Sequence, residues 1–208
     1  YEEFAARFPY DETDDQLNAI EDVLGDLSSG KPMDRLICGD VGFGKTEVAL
    51  RAAFVAAMAG QQVAIIAPTT LLARQHYETF SSRFSGWPLQ VRPLSRFVST
   101  KDANETRAGM ENGTVDVVIG THALLAKSVS FKRLGLLIVD EEQRFGVKHK
   151  ERLKELKADV PVLHLSATPI PRTLQMAPTA IRELSIIATR PFDRLAARSY
   201  RTDVDAVT

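Results

Sequence analysis

The stretch Gly39-Asp40-Val41-Gly42-Phe43-Gly44-Lys45-Thr46 limits what this chain can fold into more than any other part of its 208 residues. It has the form G-x-x-x-x-G-K-[ST]. A short apolar run, Arg35–Cys38, precedes it, and an alanine-rich segment, Lys45–Ala59, follows until Gly60 closes it. That order predicts a strand, a tight glycine turn and a helix. Glycines let successive backbone N–H groups turn inward, and the start of the helix adds the positive end of its dipole. Such a loop cradles phosphates. The Lys45 ammonium is then placed to reach the β and γ phosphates of a nucleotide, and the Thr46 hydroxyl to ligate Mg²⁺. The expected nucleotide-binding residues are Gly39, Asp40, Val41, Gly42, Phe43, Gly44, Lys45, Thr46 and Glu47.

Around this loop, short β-branched runs alternate with helical stretches. Helices are expected at Thr13–Leu27, Leu71–Phe84, Lys101–Glu111 (stopped by Gly113) and Lys148–Lys157. In the first, Leu17, Ile20, Val23, Leu24 and Leu27 are read as the apolar side, and Thr13 with Gln16 has the form of a capping box. Strands are expected at Val63–Ala67, Gln90–Leu94, Val115–Ile119, Leu136–Val139, Val162–Leu165 and Leu184–Ala188. The alternation predicts an α/β fold with a mainly parallel sheet covered by helices on both faces. From Arg190 onward the periodicity fades, as in the start of a connector.

Leu136-Leu137-Ile138-Val139 runs into Asp140-Glu141-Glu142-Gln143. Adjacent carboxylates at the end of a buried strand repel one another, and they make sense beside a divalent cation. Asp140 is placed to hold Mg²⁺ with Thr46, and Glu141 to orient and deprotonate the attacking water. The expected catalytic residues are therefore Lys45, Asp140 and Glu141.

Net charge is −1, so any contact with nucleic acid has to come from a local patch. Residues 1–26 hold nine acids against Arg7, whereas residues 144–157 carry an excess of lysine and arginine. The basic stretch is either a solvated helix face or an edge toward a polyanion or partner. The only cysteine, Cys38, allows no internal disulfide and fits a reducing, cytoplasmic setting. The apolar runs are far short of the ~20 residues that span a bilayer. His76, His122, His149 and His164 lack a metal-binding spacing and are read as structural or solvent-facing. The first residue, Tyr1, suggests a fragment of something longer.

Further matches stand in order. Gln16 precedes the loop, and Pro68-Thr69-Thr70-Leu71-Leu72-Ala73 follows the second strand. Gly120-Thr121-His122 ends another strand, and Ser166-Ala167-Thr168-Pro169-Ile170-Pro171-Arg172-Thr173 follows the strand after the acids. This series resembles the first RecA-like lobe of superfamily 2 helicases and translocases. Gly39–Ala49, Leu94–Phe97, Asp140–Lys148 and Ser166–Thr173 are similar, more finely, to the bacterial transcription-repair coupling factors, over about Phe4 to Ala197. RecG-type fork-remodelling helicases share Arg144-Phe145-Gly146 and Ala167–Thr173 but fit less well at Phe43–Glu47. Gln143 stands where many relatives carry histidine.

The resemblance implies a RecA-like P-loop NTPase lobe over 1–190. It also implies a connector, 191–208, toward a second RecA-like lobe that the chain itself lacks. The cofactors implied are ATP and Mg²⁺, and the activity is ATP-driven movement along double-stranded DNA that displaces stalled RNA polymerase. RNA polymerase and excision-repair proteins would be met through modules outside the chain, and no membrane is involved. Gln16 would read the adenine edge and Phe8 cover its ring, with a capping box and a hydrophobic staple as their respective alternatives. Gln143, Ser166 and Thr168 would couple the nucleotide to the DNA track. Thr69, Thr70, Arg74, Ser95, Arg96, Gly120 and Thr121 would contact DNA, Arg74 and Arg96 having solvated surface as the alternative. A fork remodeller, or a nucleotide-binding module without turnover, are the competing readings.

Overall fold

The β-branched runs become strands buried on both faces. In a computed structural model that describes residues 1–40, 44–167, 183–188 and 192–193, seven strands form one parallel sheet. They are β2 (Asp34–Gly39), β3 (Gln62–Ile66), β4 (Val91–Leu94), β5 (Val117–Gly120), β6 (Leu134–Asp140), β7 (Val162–Ser166) and β8 (Glu183–Ile187). Their order is β4-β5-β3-β6-β7-β2-β8, and every neighbouring pair is parallel. All five residues of β3 are buried, as expected for a sheet with helices on both sides.

Side-chain alternation divides the core between the two faces. Val63, Ile65, Leu136 and Ile138 join one cluster with Phe54 and Phe80, and Ala64, Ile66, Leu137 and Val139 join another with Met110 and Leu153. The helices are α2 (Asp14–Ser28), α3 (Lys45–Met58), α4 (Thr70–Arg83), α5 (Thr100–Asn112) and α6 (Val147–Lys157). Each expected helix and strand is present, its ends moved by a residue or two. Thr13 caps α2 with both bonds of the box, Gln16 N–H to Thr13 Oγ1 at 3.2 Å and Thr13 N–H to Gln16 Oε1 at 3.0 Å.

Some features differ from the sequence reading. Leu17, placed on the apolar side of α2, is 40% exposed, because it falls on the face that no strand covers. The acidic lead-in contains a short helix, α1 (Glu2–Ala6), anchored by Phe4, which is fully buried and stacks on Phe54 at 4.2 Å between ring centres. Strand β1 (Tyr10–Asp11) pairs antiparallel with β9 (Phe192–Asp193), so the stretch expected to begin the connector returns to the N-terminal segment. Among the described residues no helix is long and apolar enough to cross a membrane.

Because the sheet is parallel, its strands deliver their carboxyl ends to one edge. Ile66 is level with Gly120 and Val139, Asp140 with Leu165, and Cys38 with Ser166. Open α/β sheets bind ligands along such an edge.

Candidate functional site

A cavity of about 1030 Å³ opens at this edge. Phe8, Gly44, Lys45, Thr46, Glu47, Asp140 and Glu141 all line it, so the fold brings together the phosphate loop's helix start and the first two acids after β6, nearly a hundred residues apart. Val41, Gly42 and Phe43 lie outside the described residues. So does Thr168.

Lys45 opens α3, and its ammonium donates to the carbonyls of Gly39 and, at 3.2 Å, Asp40. Burial pushes its pKa below the ordinary lysine value, against the pull of Glu141, Asp140 and Asp40. Gly44, just before it, has φ +88°, and a Cβ there would lie 1.8 Å from Gln16 Nε2. Only glycine fits that turn beside that neighbour. Gln16 is fully buried and committed to the capping box. The cap uses its backbone N–H and Oε1, and its Nε2 has no partner among the described residues; the adenine role expected beside capping would fall to that Nε2. Phe8 is 7% exposed, packs against Tyr10 and lies 5.8 Å beneath the Arg51 guanidinium.

Glu47 lines the cavity, but its carboxylate is 3% exposed and faces two arginines. Arg51 Nε donates to it at 2.9 Å, and Arg83 from α4 clamps both its oxygens. Arg51 also donates to Glu12 at 2.6 Å, and Arg83 to the Phe4 carbonyl at 3.2 Å. Among these contacts Glu47 locks the phosphate-loop helix to α1 and α4.

Glu141 adopts φ +51°, the one non-glycine residue with positive φ among those described. A left-handed glutamate costs about 1–3 kcal/mol, and such strain gathers at functional sites. The conformation aims its carboxylate sideways: Oε1 accepts from Ala167 N–H at 2.9 Å, and Oε2 accepts from Gln143 Nε2. A link to the segment after β7 is thus made by Glu141 itself, held by Gln143. The resemblance gives Gln143, Ser166 and Thr168 a different task, coupling the nucleotide to the DNA track. Ser166 is buried at the end of β7.

The histidines take structural or solvent-facing places, and one of them reaches the cavity. His76, on α4, has its Nε2 2.7 Å from Asp140 Oδ2. Sixty-four residues separate the two, so spacing could not reveal the pair. The one signal available was that His76 shares a helix face with Leu72 and Thr79, which also line the cavity. His164 is buried, with Nε2 2.8 Å from Asp34 Oδ1 and Nδ1 2.7 Å from Glu142 Oε2, a structural bridge between β2, β7 and the acidic turn. His122 and His149 stack at 4.3 Å, and burial together with His122 pushes His149 below the ordinary imidazole pKa. Thr46 and Asp140 offer a hydroxyl and a carboxylate in one cavity, the hard oxygen donors that Mg²⁺ takes.

A second, smaller groove of about 320 Å³ lies along the same edge. It gathers Thr70, Arg74 and Ser95 with Tyr77 and Phe97. Arg74 and Arg96 are exposed, and the Arg96 guanidinium sits 4.9 Å over the exposed Phe97 ring. Thr69 instead uses its hydroxyl to cap α4, accepting from Leu72 N–H at 3.2 Å. Gly120 and Thr121 are buried and offer little surface to a ligand. Gly120 has a packing reason to be glycine, since a Cβ there would lie 2.2 Å from the Leu94 carbonyl.

Residues 13–177 match the DEAD/DEAH box helicase family. The chain is 58% identical, over 95% of its length, to the transcription-repair-coupling factor of Bacillus subtilis, and 54% identical, over its whole length, to that of Escherichia coli K12. It spans 17% and 18% of those relatives. RecG bound to a three-way DNA junction superposes with a TM-score of 0.78 at 38% identity, over 91% of this chain and 25% of that one.

Proposed function

The chain belongs to the DEAD/DEAH box helicases, and from that premise we propose that it is the ATP-binding first lobe of a double-stranded DNA translocase of the transcription-repair coupling kind. The observation that carries this reading is the convergence of Lys45, Thr46, Asp140 and Glu141 on one cavity beside a groove lined by the exposed Arg74. Identity of 54–58% to two coupling factors supports the finer assignment.

In this reading Lys45 draws charge from the β and γ phosphates, and Glu141 takes the proton of the attacking water. Mg²⁺ held by Thr46 and Asp140 would neutralise charge on the phosphates. Glu141, bonded to Ala167 N–H, also joins the hydrolytic edge to the segment after β7. A second lobe would supply the arginine that completes the transition state, and other modules would meet RNA polymerase and repair proteins. The setting would be the cytoplasm. The connector from 191 would lead toward that second lobe.

Steady-state ATPase of the full-length protein, with and without duplex DNA, tests the motor reading. Stimulation by duplex and ATP-dependent displacement of stalled RNA polymerase are expected. A RecG-type remodeller, favoured by the superposition with RecG, would instead reverse model forks and leave stalled polymerase in place. No turnover with or without DNA would leave only a nucleotide-binding module.

Two substitutions sharpen the test. Lys45→Ala should lower kcat by about 10²–10³, the loss seen when one preorganised charge-stabilising donor is removed, with the fold intact by circular dichroism. Arg96→Ala should weaken duplex binding to a similar degree on all sequences and reduce the log–log salt slope by about 0.9, one phosphate contact. An unchanged slope and affinity would return Arg96 to solvated surface.

A further inference from the structure

Helix α4 is a shared wall. Leu72, Gln75, His76, Thr79 and Arg83 face the nucleotide cavity, and Thr70, Ala73, Arg74, Tyr77 and Glu78 face the groove. The two sets interleave at three- and four-residue spacing, as opposite stripes of one helix must. On the cavity side, His76 makes the contact with the acidic strand end, at Asp140.

We propose that His76 is a positioning residue for the metal-holding carboxylate of Asp140, and that through it α4 couples the DNA-facing groove to the nucleotide cavity. The proposal rests on reading Asp140 as a metal ligand. His76 Nε2 lies 2.7 Å from Asp140 Oδ2, and both side chains are nearly buried, at 11% and 13% exposure. A hydrogen bond to one carboxylate oxygen fixes the rotation of the group and directs the other oxygen. The imidazole is itself held. Phe80, 1% exposed and part of the core, meets it edge to face at 6.4 Å. Asp140 ends β6, whose neighbour β3 leads directly into α4, so strand and helix hold the pair in register. Two helical residues before His76, Arg74 lies exposed in the groove. A phosphate that draws Arg74 outward therefore acts on the helix that carries His76. Ligands bonded by such outer partners lose about 10–100-fold in metal affinity when the partner is removed.

The test uses the full-length protein and two variants. His76→Phe keeps a ring against Phe80 but removes the N–H, and His76→Gln keeps an N–H donor at similar reach. Mn²⁺ is titrated by electron paramagnetic resonance in the presence of a non-hydrolysable ATP analogue, and thermal midpoints confirm that both variants fold. His76→Phe should bind Mn²⁺ about 10–100-fold more weakly, with His76→Gln close to the parent. Parent-like Mn²⁺ affinity in His76→Phe, or equal loss in both variants, overturns the positioning role. At saturating Mg²⁺, duplex DNA should stimulate His76→Phe less than the parent, and parent-like stimulation overturns the coupling role. If the parent is itself not stimulated by duplex, the translocase reading fails and the coupling role with it, while the Mn²⁺ titration still decides the positioning role.

Discussion

Glu141→Gln in the full-length protein is expected to keep Mg-ATP binding and to lose about 10²–10⁴ in kcat, the contribution of a positioned general base, or about 3–5 kcal/mol of barrier. The substitution isolates the chemistry because the surroundings tolerate it. Glutamine has the same reach and presents the same acceptor to Ala167 N–H, now 2.9 Å from Glu141 Oε1. Its new NH₂ would meet the Gln143 NH₂, which at present donates to Glu141 Oε2. A flip of the Gln143 amide restores a donor–acceptor pair, and Gln143 is exposed enough to turn. The backbone at φ +51° costs a glutamine what it costs a glutamate. Single-turnover phosphate release gives the chemical step, and equilibrium nucleotide binding gives affinity. Cleavage at the parent rate would remove Glu141 from the role of base.

That the acidic turn and the phosphate loop could be read from sequence, and His76 could not, has a physical reason. Lys45, Thr46, Asp140 and Glu141 sit at strand and helix ends, and strand ends are marked locally: an apolar β-branched run stops and polar residues begin. Parallel order then places those ends on one edge without further information. The β3 and β6 runs were legible for the same reason, since burial on both faces leaves an uninterrupted apolar stretch. The contact of His76 with Asp140 depends on which strand neighbours which, and nothing near residue 76 encodes that. Helix α1 was hidden differently. Its surroundings are acidic, and the fold secures it with one side chain, Phe4, against a ring fifty residues away. The β1–β9 ladder has two residues a side, too few for any period to show. At Gln16 the pattern was seen and two uses stayed open. Glu47 was legible as part of the loop but not as the centre of an arginine cluster, because Arg83 comes from α4 and the arginines are in turn held by Glu12 and the Phe4 carbonyl of α1.

Glu47→Ala is expected to destabilise the chain by about 3–5 kcal/mol, the cost of breaking a buried ion pair from one side, a large share of the roughly 5–15 kcal/mol that holds a domain folded. The loss comes from stranded charge more than from missing bonds. Glu47 and Arg51 are each 3% exposed and Arg83 14%, so removing the carboxylate leaves two guanidiniums facing each other out of water. Burial works against the charged form of Arg51, and its hydrogen bonds with Glu12 and Glu47 outweigh that and raise its pKa above the ordinary arginine value; after the substitution Arg51 keeps only Glu12 of the two. Arg83 keeps the Phe4 carbonyl and its place 4.6 Å over the Phe4 ring, neither of which carries a full negative charge. Glu47 also lies in the first turn of α3, where an acid favours the helix dipole. Urea unfolding of the 208-residue chain measures the change. The argument about charge makes a sharper demand on the double variant Glu47→Ala with Arg83→Met, which removes the stranded cation and refills part of its volume with apolar atoms. It should recover a substantial part of the lost stability, as buried ionic clusters do when apolar groups replace them. If the double variant is less stable than Glu47→Ala alone, Arg83 stabilises the fold through its packing on Phe4 independently of Glu47, and the cluster is not primarily a charge-compensating device.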